Sequence, residues 1–136
     1  MPAQIPLNFW AILVSTIFSM VVGFLWYGPL FGKTWKKEQG ITDADMKKSD
    51  MIKAPIVNFI GALVMAFILR HAVAYANVTT LAGGAVVGML NWLGFIAVAM
   101  LNGVVYEKKS WKLYFINSGY YLVVLALNGA ILASWV

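Results

Sequence analysis

Residues 55–75 read PIVNFIGALVMAFILRHAVAY, and this stretch decides the fold. Only Arg70 in it is formally charged. Ile56 to Leu69 is apolar almost without a break and does not alternate, so it is no lipid-facing β-barrel strand. As an α-helix it is about the length needed to cross roughly 30 Å of hydrocarbon. A helix apolar all the way round belongs in a bilayer or deep inside a large protein, and a chain of 136 residues is too small for the second.

Three more stretches of the same kind lie outward from it, and the sequence predicts spans at about 8–28, 55–75, 80–104 and 113–135. Hydrophobic residues make up 62% of the chain before glycine is counted, against roughly 45–50% with glycine in soluble domains. Mean hydropathy is +0.81. The expected fold is therefore all-α: one integral membrane domain over 1–136, a four-helix transmembrane bundle. Gly28-Pro29 should end or bend the first span, and Pro55 suits the first turn of the second. The first apolar stretch has neither a basic leader nor a clear cleavage site, so it reads as a retained helix.

Charge is concentrated in two places. Ten of the 15 charged side chains fall within 33–53, four within 107–112, and Arg70 stands alone. The net charge of +5 is thus a topology signal and an attraction to anionic headgroups, with Lys36, Lys37, Lys108 and Lys109 as candidate contacts. No nucleic-acid-binding scaffold accompanies it. With four spans, both basic loops (29–54 and 105–112) share one side. The positive-inside bias makes that side cytoplasmic in an inner (plasma) membrane and puts both termini outside. Within the first loop, Thr42 is placed to cap a short amphipathic interfacial helix over 43–53, with Met46, Met51 and Ile52 toward lipid. Trp26, Tyr27, Trp35, Tyr106, Trp111 and Tyr114 at one end, with Trp10, Tyr75 and Trp135 at the other, read as interfacial anchors.

The spans carry polar stripes. Asn8, Asn58, Asn91, Asn102, Asn117, Tyr121 and Asn128 form a candidate intramembrane site; Ser15, Ser19, Gly23, Gly84 and Gly88 form small-residue seams. Two readings stand: helix packing, in which small residues admit close backbones and amides hydrogen-bond between helices, or a polar route near the midplane, most plausible at Asn91-Trp92. Four short helices enclose little volume, so a route calls for a homo-oligomer. Arg70 is either a carbonyl-paired or snorkelling side chain or an anion and lipid-headgroup contact. The chain has one histidine, no cysteine and no carboxylate within a span, so no enzyme, metal or other cofactor is expected. Gly23–Tyr27 followed by Lys33–Lys36 resembles Gly103–Tyr106 followed by Lys109–Lys112, a faint parallel repeat.

Asn8-Phe9-Trp10, the run Gly23-Phe24-Leu25-Trp26-Tyr27-Gly28-Pro29-Leu30-Phe31-Gly32-Lys33-Thr34-Trp35 and the segment Gly40–Met46 resemble the prokaryotic membrane family known as domain of unknown function 1761. Asn91–Phe95 and Trp111–Tyr120 extend the likeness over nearly the whole chain. Gly28 stands where serine is common. The resemblance implies a four-span protein and brings neither an activity nor catalytic residues.

Overall fold

A computed structural model of the chain describes residues 5–40 and 48–135. Four of its helical runs are long and apolar enough to cross a membrane: Phe9–Leu30, Met51–Tyr75, Leu81–Val105 and Trp111–Ser134. No strand occurs among the described residues. The molecule is a four-helix transmembrane bundle.

Helix α1 (Phe9–Leu25) opens on Asn8, whose Oδ1 accepts from the backbone N–H groups of Trp10 and Ala11, two of the donors a helix start leaves unpaired. The predicted stop at Gly28-Pro29 takes a particular form. Pro29 lacks the N–H that would continue the ladder, and the chain widens into a π turn over Trp26–Leu30. The Phe31 N–H reaches five residues back to the Trp26 carbonyl at 2.8 Å. A short helix α2 (Gly32–Gln39) follows and ends on Gly40 at φ 70°, a left-handed conformation that glycine adopts without a side-chain clash.

Helix α3 (Lys48–Tyr75) corrects two expectations. The interfacial helix predicted over 43–53 lies partly outside the described residues, and from Lys48 onward it is the unbroken start of α3. Pro55 therefore sits inside the helix and not in its first turn. It leaves the Met51 carbonyl without an i+4 donor, a loss water can make good near the membrane surface. From Met51 to Gly61 every residue of α3 is exposed; Ala66, Leu69, Arg70 and Val73 are buried. Only the half of α3 far from the basic loops belongs to the bundle.

The third span is α4 (Leu81–Asn91), a second π turn (Trp92–Ala97) and α5 (Val98–Val105). Thr80 caps it, its Oγ1 accepting from the Gly83 N–H. Helix α6 (Trp111–Ser134) starts two residues before the predicted 113, because Ser110 accepts from the Leu113 N–H and so caps there.

Helix α6 is the axis. It touches all three other spans, most extensively α4. Along that seam the helices meet backbone to backbone. A methyl on Gly84 would sit 2.1 Å from the Gly129 carbonyl oxygen, and one on Gly88 2.0 Å from that of Leu125. The apolar core gathers Ala11, Ile12, Ala66, Leu69, Leu125 and Leu132 from α1, α3 and α6.

Candidate functional site

The two π turns face the same stretch of α6. Each begins with a tryptophan whose indole N–H crosses to an α6 carbonyl: Trp26 to Ile116 at 2.8 Å and Trp92 to Ser118 at 2.7 Å. A carbonyl oxygen has two lone pairs, so it can accept these donors and still serve its own helix. Tyr114 completes the second bracket by donating to the Ala97 carbonyl at the end of the π turn, 2.8 Å away. π turns interrupt regular hydrogen bonding and gather at functional sites; here their irregular backbone is braced on α6.

Between the brackets lies an aromatic and amide cluster. The Tyr27 hydroxyl donates to Asn117 Oδ1 at 2.8 Å, and Tyr120 donates to the Ser19 carbonyl at 3.0 Å. The Tyr27 ring meets Tyr120 edge-on at 5.4 Å, and Tyr121 continues the group at 5.0 Å from Tyr120. Gly23 makes room for the Tyr120 hydroxyl, which would lie 3.1 Å from a methyl there.

Asn117 also lines a chamber of about 430 Å³ between α5 and the start of α6. Asn102, Met100 and Leu113 contribute to its walls, and Glu107 and Lys109 stand at its rim. Those two charges are 3.7 Å apart and both substantially exposed, a loose surface pair of small energetic weight.

Asn102 and Asn117 share that chamber, and the other predicted amides lie apart from it and from one another. Asn8 caps α1 and donates through Nδ2 to the Trp135 carbonyl at 3.3 Å, tying the first span to the end of the last. Asn58 is exposed on the free half of α3, and Asn102 is exposed on α5. Asn91 turns back on its own helix, donating to the Val87 carbonyl at 2.8 Å just where the ladder widens. Asn128 is 1% exposed and donates to Ser19 Oγ at 2.9 Å, while Ser19 donates to the Ser15 carbonyl. Two atoms in that buried group, Asn128 Oδ1 and Ser15 Oγ, have no protein partner. Gly84 and Gly88 form the α4–α6 seam.

Arg70 is 5% exposed. Its Nε donates to the Pro6 carbonyl at 3.0 Å and its Nη1 to the Leu132 carbonyl at 2.9 Å. Leu132 lies in the last turn of α6, where carbonyls lack helical partners and the dipole is negative. The guanidinium thus clamps the N-terminal segment, α3 and α6 together. Lys36 and Lys37 occupy the last turn of α2, and Lys108 and Lys109 lie in the exposed loop before α6. Lys108 adopts φ 59°.

Sequence reasoning missed the inward roles of Trp26 and Tyr27, read as headgroup anchors, and those of Tyr114, Ser118 and Tyr120. The available signal was the pairing of Trp26-Tyr27-Gly28 with Trp92-Leu93-Gly94, a tryptophan two residues before a glycine in two spans.

These features define a multi-pass helical membrane protein whose last span serves as a hydrogen-bonded axle for the others. The chain belongs to the family described as "Protein of unknown function (DUF1761)", whose model matches residues 10–133. No curated protein and no solved structure matches it.

Proposed function

We propose that the protein is a helical module of the inner membrane of a prokaryotic cell, working through contacts with lipid and with its own copies and not through catalysis or solute flux. The observation that carries this reading is the separation of the amides. Asn8, Asn91 and Asn128 are each engaged by a different nearby group at a different depth, and Asn102 and Asn117 face a chamber next to the basic loops. A conduit would line one path with them.

In this reading loops 29–54 and 105–112 are cytoplasmic and both termini external, because those loops hold nine of the ten Lys and Arg residues. Lys36, Lys37, Lys108 and Lys109 then meet the anionic lipids of the inner leaflet. Asn58 supports self-association. It lies on a helix half exposed on every side, two turns inside the span that begins at Met51. An amide at that depth gains from hydrogen-bonding a second copy.

The chain has no cysteine, so single cysteines introduced one at a time test the reading directly. Cysteines replacing Ser15, Asn91 or Asn128 stay closed to a membrane-impermeant maleimide from either side, whereas one replacing Lys108 labels only from the cytoplasm. Rapid labelling at all three interior positions would mark a water-filled route and defeat the reading. A cysteine replacing Asn58 forms a cross-linked dimer in native membranes under mild oxidation.

A further inference from the structure

We propose that the chamber between α5 and the start of α6 binds the headgroup of a phospholipid bearing both a phosphate and a primary ammonium. The inference rests on the lipid-engaging reading above and names the ligand class of one site within it.

Depth points to a lipid. Tyr106 and Trp111, 78% and 55% exposed, stand on either side of the loop that forms the rim, and rings with a polar tip settle at the headgroup level. Volume restricts what enters. About 430 Å³ is within the range of small-molecule sites and suits a headgroup and glycerol. The acyl chains would then run outside, along the exposed Val98 and Val105 of α5.

Charge selects the class. Glu107 and Lys109 offer one charge of each sign at the rim, held to each other only at 3.7 Å. Their backbone is fixed: the Lys109 N–H donates to the Gly103 carbonyl at 2.9 Å and the Glu107 N–H to that of Asn102 at 3.3 Å. Below them Gly103 presents a bare α-carbon, where a methyl would lie 3.5 Å from Glu107 Oε2. A phosphate suits Lys109. An ammonium with N–H donors suits the Glu107 carboxylate, which would repel a purely anionic headgroup and cannot receive a hydrogen bond from a quaternary amine. Asn102 and Asn117 line the chamber below, where amides can meet phosphate and ester oxygens.

The test titrates delipidated, detergent-solubilised protein with phosphatidylethanolamine, phosphatidylcholine and phosphatidylglycerol, read by native mass spectrometry. Phosphatidylethanolamine is expected to bind about tenfold more tightly than the other two, the scale of one charge-assisted hydrogen bond. Glu107→Gln removes that preference by weakening phosphatidylethanolamine binding and easing that of phosphatidylglycerol, while Lys109→Gln weakens both. Soluble glycerophosphoethanolamine competes poorly, since it gains nothing from the apolar wall. Equal binding of the three lipids, or a preference that survives Glu107→Gln, overturns the proposal. Equal competition by the soluble headgroup overturns its assignment to a lipid. If phosphatidylglycerol still binds in a Lys37- and Lys108-dependent way, only the chamber assignment falls; if no lipid binds specifically, the lipid part of the broader reading falls with it.

Discussion

Replacing Gly88 with alanine adds one methyl group at the closest approach of α4 and α6. The new carbon would start 2.0 Å from the Leu125 carbonyl oxygen, 2.6 Å from its carbon and 3.1 Å from the Ala126 nitrogen. All three are backbone atoms of a long helix, so no side chain can turn aside. Ordinary contact begins at 3.4 Å, and the helices must therefore part by about 1.4 Å at that point. The strain does not stay local. Gly84 and Gly129 share the seam, and the indole bond from Trp92 to Ser118 and the Tyr114 bond to Ala97 cross between the same two spans. Overpacking a tight interior costs about 1–3 kcal/mol, and loss of seam contacts sets Gly88→Ala at the upper end. The assay is reversible unfolding in mixed micelles with rising dodecyl sulfate, followed by circular dichroism. Gly61→Ala is the control: a methyl there meets nothing within 4 Å, and alanine favours helix over glycine by up to about 1 kcal/mol. Gly61→Ala should match or exceed the parent. Because Gly84 and Gly88 strain one interface, Gly84→Ala combined with Gly88→Ala should cost less than the separate losses added. A Gly88→Ala protein as stable as the Gly61→Ala protein would refute the backbone-contact seam.

Arg70→Lys retains the charge but not the fork that reaches two carbonyls, so protease should cut the segment before Phe9 sooner, and Arg70→Leu should cost about 2–4 kcal/mol by orphaning both acceptors. Unchanged proteolysis in Arg70→Lys would contradict the clamp. Ser15→Ala should be neutral or stabilising, since its buried hydroxyl has no partner and removing it relieves a desolvation cost. A loss above about 2 kcal/mol in the same unfolding assay would mean that Ser15 Oγ has an unseen partner such as a bound water. Trp92→Phe keeps a ring but deletes the donor to Ser118, and should lower stability by about 1 kcal/mol. Trp26→Phe should do the same at Ile116, and the two effects should couple, because both donors brace one short stretch of α6.

The fold was legible because it rests on composition and length, which tolerate local error. Four apolar stretches, with Arg70 their one formal charge, joined by two basic loops and a short turn can hardly be read another way. The edges were less legible. Pro55 favours the first turn of a helix, and a sequence reader stops there; yet Lys48–Ala54 extends α3 backward, because a proline near a helix start costs only one solvent-replaceable bond. Trp26 and Tyr27 sit where anchors belong, and the Trp-x-Gly pattern shared with Trp92 is the only sequence hint that they turn inward; the inward orientation itself follows from the π turn, which shifts the register of the side chains after Leu25. Ser15 and Ser19 recur at one helical turn, and both are buried. Asn128, the partner of Ser19, was identifiable as polar but not as that partner, because pairing between spans depends on rotations that periodicity leaves free.

The dispersion of the amides and the position of α6 have one physical cause. In hydrocarbon a backbone that departs from the α-helical ladder must find other partners, and this chain departs from it twice, at Trp26 and Trp92. Both departures are held by side-chain donors reaching to or from the 114–118 stretch of α6. The polar groups of the bundle are thus occupied mainly in fixing helices to one another, and few remain to line a path. Helix α3 is the exception. Its residues from Met51 to Gly61 are all exposed, and its Asn58 has no hydrogen bond to a described residue. A contact with a second molecule therefore leaves the α6 axle undisturbed when it uses the free half of α3, and that is where an assembly partner should be sought.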